Sequence, residues 1–269
     1  MQAMKLKQMK VKIFLLLISI TLTGCGFTSG LYKDILRAQD YIETREFGKA
    51  VKIYEDILER KPGKIINIKI NYQLGEINSI YLNNYKKAIN HFENVINLAN
   101  EPLWQVKSLE KIGVISYENL REFKKSKYAY KKLMTFIPKL ERQVFYKFRY
   151  AQSLYQEESY KKAKVFFKEL TQEPNSKYSI QSYYFLGLVN FYEKKWEQSI
   201  SYWFEYLKRE KRKDRIIQVK FMIANAYESS EQLKQAYNIY YSIIGNYPNP
   251  EVIRGRLNSL YERRVARKR

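Results

Sequence analysis

Few side chains in this 269-residue sequence could carry chemistry, and the clearest is Cys25, its single cysteine. A lone thiol cannot close an intrachain disulfide or build a multi-cysteine zinc site, so modification is what remains for it. His91 is likewise the single histidine. A general base or a metal ligand needs partners, and none accompanies it, so His91 reads as an ordinary residue of the helix that carries Phe92. The third group joins carboxamides and rings: Gln39, Gln152 and Asn225 with Tyr72, Phe148, Tyr155, Tyr184, Phe191 and Phe221. Carboxamides can both donate to and accept from the backbone of an extended peptide, while rings grip its side chains. Each ring has a second reading as packing between helices, because apolar stripes at helical spacing usually form core.

Catalytic patterns are missing. There is no Gly-rich phosphate loop and no nucleophile elbow, and no pair of carboxylates is marked out by its spacing. The sequence therefore predicts no cofactor, no metal and no enzymatic activity.

Cys25 is set up by what precedes it. Residues 1–12 carry four lysines and no acid, and residues 13–22, IFLLLISITL, form a short apolar run. A basic start, an apolar stretch and small residues before a break read as a secretory signal. The run is too short to span a bilayer, which takes about 20 residues. Leu22-Thr23-Gly24-Cys25 resembles the lipobox of bacterial lipoproteins. The resemblance implies a signal peptide over 1–24 and acylation of Cys25, with palmitate-type chains on the thiol and the new amino group. Several chains on one residue exceed the two signals that stable anchoring needs. Gly26 stands where inner-membrane lipoproteins of the enteric type carry Asp, which implies the outer membrane, facing the periplasm. Residues 25–30 then form the lipidated cysteine and a tether. The five residues after Cys25 extend at most about 17 Å, which holds the folded part at the membrane surface.

The segments that must position the carboxamides and rings recur. A bulky residue, two mostly polar residues, a small residue and a bulky residue four later appear as Phe47, Ala50 and Tyr54, then as Tyr85, Ala88 and Phe92. Later copies are Phe123, Ser126 and Tyr130; Tyr160, Ala163 and Phe167; Trp196, Ser199 and Trp203; and Leu233, Ala236 and Tyr240. The small residues advance by 38, 38, 37, 36 and 37. A second small residue lies twelve earlier at Ala38, Ala151, Gly187 and Ala224, and thirteen earlier at Gly75 and Gly113. The extra residue in those two copies is expected in the inner turn. Pro62, Pro138, Pro174 and Pro248 mark repeat ends, and the scarcity of glycine (10) and proline (6) argues against a sandwich or barrel.

This pattern resembles the tetratricopeptide repeat (TPR) over residues 31–248. The resemblance implies an all-α superhelical solenoid of about six TPR-like hairpins, in which the first helix of each hairpin lines a concave groove. In that frame Gln39, Gln152 and Asn225 share one inner register and the six rings lie about a turn away. Together these nine residues are the candidate groove for a protein or extended peptide partner. Residues 249–269 follow as a capping helix and basic tail. Asn249 is placed as its cap, Pro250 at its first position, and Ile253, Leu257, Leu260 and Tyr261 on one face.

The formal net charge is +22. It reads either as solvated helix faces or as attraction to anionic headgroups or an acidic partner, through Lys208–Lys213 and the cluster Arg263, Arg264, Arg267, Lys268 and Arg269. Export argues against nucleic acid. Lipobox, length and hairpins together resemble the TPR lipoprotein subunits of the outer-membrane β-barrel assembly machinery. That likeness implies a non-enzymatic, membrane-anchored interaction scaffold of the cell envelope. The alternative is an adaptor for a peptidoglycan-associated, motility or secretion complex.

Overall fold

The structure is a computed structural model that describes residues 30–173 and 176–267. Cys25, the lipobox and the tether as far as Ser29 lie outside the described residues, as do Pro174 and the last two positions. The described residues form thirteen helices and no strand. Helix α1 covers 30–43, followed by α2 (Phe47–Glu59), α3 (Lys64–Ile80), α4 (Tyr85–Leu98) and α5 (Pro102–Val114), which runs on into a π-helical turn, Ile115–Asn119. Then come α6 (Phe123–Met134), α7 (Gln143–Gln156), α8 (Tyr160–Leu170), α9 (Lys177–Tyr192) and α10 (Trp196–Leu207). The series ends with α11 (Lys213–Ser229), α12 (Leu233–Ile243) and α13 (Pro250–Ala266). None of these helices is long and apolar enough to cross a membrane.

The chain divides into two compact units between Leu120 and Arg121. In the first, α1–α2 and α3–α4 are hairpins followed by α5. In the second, α6 precedes hairpins α7–α8, α9–α10 and α11–α12, and α13 closes the series. The hairpins form because their apolar residues fall on one helical face. Helix α2 buries Ala50, Ile53, Tyr54 and Ile57, and α12 buries Leu233, Ala236, Tyr240 and Ile243, both close to the i, i+3, i+4, i+7 pattern.

The small residues do what the repeat demands of them. A Cβ on Gly75 would stand 2.7 Å from the ring of Phe92, and one on Gly187 would stand 2.1 Å from Trp203 Nε1. Both distances are far inside contact, so each inner helix needs glycine where the bulky residue of its outer helix presses against it. Where the outer small residue is serine, its hydroxyl is used. Ser199 Oγ donates to the Gly187 carbonyl at 2.8 Å, and Ser126 Oγ lies 3.0 Å from Ser153 Oγ.

The inner turns are as regular as the sequence spacing. Arg45, Asn83, Arg121, Glu158, Lys194 and Glu231 all have φ between 54° and 63° and all stand two residues before an outer helix. This left-handed residue closes a Schellman-type cap. The amide after it donates back to the inner helix, as in Ser159 N to Leu154 O at 2.9 Å and Lys195 N to Asn190 O at 2.8 Å. None of the six is glycine, although the conformation costs other L-residues roughly 1–2 kcal/mol.

The extra residue of the second and third copies does not enlarge this turn. It widens the end of the inner helix instead. After α3 the closing bond spans one residue more, from Asn84 N to Asn78 O at 2.7 Å. After α5 it becomes the π-helical turn, closed by Leu120 N to Ile115 O at 3.1 Å.

Helix α13 buries Ile253, Leu257 and Leu260 against α12 and α11. Two details differ from the sequence reading. Asn249 holds the N-cap position without a side-chain capping bond, and Tyr261 is 62% exposed because the buried stripe passes beside it. Arginines finish the attachment: Arg256 and Arg263 donate to Glu228 at 3.5 and 3.2 Å, and Arg263 reaches Glu231 at 2.8 Å.

Candidate partner-binding groove

In the second unit three inner helices, α7, α9 and α11, present polar and aromatic residues to one hollow of about 220 Å³. Helix α9 contributes Gln181, Tyr184 and Phe185, and α11 contributes Arg215, Gln218 and Val219. Both sets follow i, i+3, i+4 spacing, which puts three residues on one face. Helix α7 adds Gln152, α10 adds Tyr206, and Arg212 stands at the entry to α11.

The walls are fixed by their own bonds. Trp203 Nε1 donates to the Tyr184 carbonyl at 3.1 Å, and the Tyr184 ring lies 5.7 Å from that of Tyr206. Burial raises the pKa of the Tyr184 hydroxyl, which therefore stays a neutral donor and acceptor. The turn into α11 is organised by Glu210, whose carboxylate accepts from Tyr206 Oη at 2.7 Å and from Arg212 Nη2 and Nε at 2.7 and 3.0 Å. It also accepts from the backbone amides of Lys211 and Arg212 at 3.0 and 3.1 Å. The Arg212 guanidinium, first among these partners, holds the Glu210 carboxyl far below the usual carboxylate range. Arg212 is thereby oriented and partly neutralised at the rim.

Other groups in the hollow are free. The Gln181 and Gln218 carboxamides have no hydrogen-bond partner among the described residues. Arg215 has one carboxylate nearby, Asp214 at 3.9 Å, too distant for a good bond. Gln152 Oε1 accepts from Arg149 Nη1 at 3.2 Å and keeps its amide hydrogens. Unpaired carboxamides beside a half-exposed guanidinium can bond a peptide backbone and balance a carboxylate, and the rings can receive an apolar side chain.

Of the nine residues read from the sequence as groove, the structure brings Gln152 and Tyr184 together. The rest lie elsewhere. Phe148 is 3% exposed and sealed against Phe167 and Phe185, so it is core and offers no contact surface. Phe221 is stacked on Tyr247 at 4.8 Å, and Phe191 packs on Trp196 and Trp203 at 4.9 and 5.8 Å. Tyr155 sits among Tyr160, Phe185 and Tyr192, with its pKa raised by burial. Asn225 is occupied, its Oδ1 accepting from Tyr240 Oη at 2.5 Å. In the first unit Gln39 is exposed on α1, whereas Tyr72 packs edge-on to Phe92 and Trp104, with its pKa pushed up to about 12 by burial and by Glu76 and Glu110. Phe148 is core and Tyr72, Tyr155, Phe191 and Phe221 are half-buried against neighbouring rings, because a long aromatic side chain on an inner helix reaches the adjacent helices.

Gln181, Gln218, Arg212, Arg215 and Tyr206 were missed. The signal for two of them was present: Gln181 and Gln218 each lie six residues before the small residue of their inner helix, Gly187 and Ala224. The basic clusters read as headgroup contacts also look different in place. Lys208 and Arg209 are bonded to Glu205 at 2.5 and 2.6 Å, Arg212 to Glu210, and Arg263 and Arg267 to Glu231.

Residues 218–250 match the tetratricopeptide repeat family. The fold is that of tetratricopeptide-repeat proteins. The C-terminal part of a TPR repeat-containing protein from Cytophaga hutchinsonii is 18% identical with a TM-score of 0.62, over 84% of this chain and 87% of that one. PilW, a widely conserved type IV pilus biogenesis factor, is 16% identical with a TM-score of 0.53, over 86% of this chain and 98% of its own. A STAND signal-transduction ATPase from Pyrococcus horikoshii with a TPR sensor is 16% identical with a TM-score of 0.56, over 86% of this chain and 38% of its own. No curated protein sequence matches the chain. At these identities the likeness concerns fold alone, and the repeat match falls on α11 and α12, one wall of the hollow.

Proposed function

We propose that this chain is a non-enzymatic interaction scaffold that holds an extended peptide segment of a protein partner in the hollow between α7, α9 and α11. The observation that carries this is the pair of unpartnered carboxamides, Gln181 and Gln218, lining one hollow with Arg215 and Tyr184. Polar groups left open in a TPR fold are suited to a backbone that brings its own donors and acceptors. The lipobox resemblance at Cys25 supports placing this scaffold on a bacterial membrane, with the outer membrane as the specific site. Assembly of outer-membrane β-barrel proteins is the process we favour.

An adaptor role in a motility or secretion complex is the second reading, favoured by the likeness in fold to PilW, itself a pilus biogenesis factor. One experiment separates these. A photo-crosslinking residue at Gln218 in growing cells is expected to capture one partner, and the same residue at Tyr241, 65% exposed on α12, is expected not to. A barrel-assembly protein as the adduct supports the first reading and a pilus or secretion component the second. Equal capture from both positions removes the groove altogether. The anchor is tested separately, because Cys25→Ser should release the chain from membranes, and a variant still anchored after a high-salt wash ends the lipoprotein reading.

A further inference from the structure

Outer helices α6 and α8 differ from every other hairpin partner in their charge. Helix α6, FKKSKYAYKKLM, has five lysines, no acid and no arginine. Helix α8, YKKAKVFFKEL, has four lysines and one glutamate, and that glutamate is bonded to Lys147 at 3.2 Å. The lysines sort by direction. One residue after each small position, Lys127 is paired with Glu157, and Lys164 reaches Asn190 at 2.5 Å and Glu193 at 3.2 Å. These two point to the end of the next inner helix and are matched by acids there. Lys124, Lys131, Lys132, Lys161, Lys162 and Lys168 are exposed, and none makes an ion pair among the described residues. Because Lys127 and Lys164 share a register and a direction, the exposed lysines of α8 continue the face of α6 one repeat further on.

An apolar residue stands within each set. Tyr128 and Val165, two residues after the small positions Ser126 and Ala163, are 60% and 54% exposed. The Lys132 ammonium lies 5.7 Å from the Tyr128 ring centroid. Lysines on flexible stems around an exposed ring and an aliphatic residue suit the boundary between headgroups and acyl chains, where the apolar groups enter and the ammonium groups remain wet. Arginine, the side chain suited to bidentate pairing with particular carboxylates of a protein, is absent from both helices. We infer that the outward faces of α6 and α8 form a lysine surface that docks the second unit onto an anionic lipid bilayer. It is carried by outer helices, so the hollow between inner helices stays open. It also stands apart from the clusters near α11 and α13, where Lys208, Arg209, Arg212, Arg263 and Arg267 are bonded to glutamates of the chain.

The test uses the full chain carrying Cys25→Ser, so that acylation cannot hold it on a membrane. With vesicles of phosphatidylglycerol and phosphatidylethanolamine, binding is expected to be strong at low salt, to fall as salt rises, and to be absent on phosphatidylcholine. Lys124→Glu, Lys131→Glu, Lys161→Glu and Lys162→Glu together should weaken binding by more than about tenfold. The glutamine version of the same four positions should show a smaller loss in the same direction. Lys33→Glu, Lys52→Glu, Lys64→Glu and Lys69→Glu make the same change in net charge within the first unit and should cost much less. With Cys25 gone, Tyr128→Cys offers a single thiol for an environment-sensitive fluorophore, which should brighten on the anionic vesicles. Equal losses from both quadruple variants, or a label that does not respond, overturn the proposal. So does a parent chain indifferent to anionic vesicles, which would leave these lysines to an acidic protein.

Discussion

The two units each contain a hollow lined by carboxamides, yet the carboxamides are used differently. In the first unit Asn67, Asn71, His91, Asn94 and Asn97 surround about 380 Å³ between Leu58 and Leu98. Asn71, 3% exposed, joins most of them: its Nδ2 donates to Asn67 Oδ1 at 2.7 Å, and its Oδ1 accepts from Asn94 Nδ2 at 3.2 Å and lies 3.0 Å from His91 Nδ1. In the second unit the hollow is smaller, about 220 Å³, but Gln181, Gln218 and Arg215 face it without good partners. Volume therefore says little about what the two hollows do. They differ at their centres: Asn71 is bonded to three neighbours, although Asn97 at the exposed edge has no hydrogen-bond partner among the described residues, whereas Gln181 and Gln218 are both open. A carboxamide whose bonds are met inside the protein locks neighbouring helices together, and one left open has a bond to give to something else.

If the units differ in this way, they should respond separately when their cores are broken. Trp203→Ala is expected to destabilise the second unit by about 3–5 kcal/mol, since it empties the site that Gly187 was kept bare to admit. Phe92→Ala should do the same to the first unit. Amide hydrogen exchange read by mass spectrometry checks this, with protection lost mainly within 121–267 for the first substitution and within 30–120 for the second. Uniform loss across both units in either variant would show that they unfold as one. The next effect concerns binding and not stability. Arg215→Ala with Gln218→Ala should weaken capture of a crosslinked partner by roughly 2 kcal/mol, while Asn97→Ala in the other hollow leaves it unchanged. If titration calorimetry shows both variants binding like the parent, the contrast between open and saturated hollows fails.

Much of the fold was written in the sequence because each hairpin repeats the same steric bargain. Gly187 and Trp203 can be paired by counting alone, and so can Gly75 and Phe92. The groove was less legible. Spacing says which residues share a helical face, but not whether a ring such as Phe148 ends against Phe167 or in solvent, because that depends on how the two helices of the hairpin pack together. Nor does spacing reveal that Glu210 spends Arg212, or that Asn225 is already bonded to Tyr240. The division between Leu120 and Arg121 was equally hidden, since the repeat passes through it without a change of phase.

One feature common to both units gives a smaller effect and a control. Arg45 and Glu158 occupy the same left-handed turn position, with φ of 63° and 57°. Arg45→Gly and Glu158→Gly should each stabilise the protein by up to about 1 kcal/mol, because glycine removes a Cβ clash that outweighs its greater freedom when unfolded. Denaturant midpoints measure this. A gain in one unit only would mean that the two turns are held differently by their surroundings.

The subtlest effect should belong to the first unit alone. His91 is the single histidine of the chain, and histidine is the side chain whose ordinary pKa brings it to titrate between pH 5 and 8. Burial lowers its pKa, and the charge of Lys87 one turn earlier lowers it further. As pH falls through about 6.5 the unfolded chain therefore takes up a proton that the folded first unit resists, and stability is lost from there downward. The bond to Asn71 survives protonation, since a ring that donates from Nδ1 can still take a proton at Nε2, so the lowering comes from burial and Lys87. His91→Gln removes the titration and keeps a side chain able to reach Asn71. The melting temperature of the parent should fall more between pH 7.5 and 5 than that of the variant, with protection lost within 30–120 and retained within 121–267. Parallel curves for parent and variant would mean that solvent reaches the ring freely, and the saturated hollow would then be less closed than its bonds indicate.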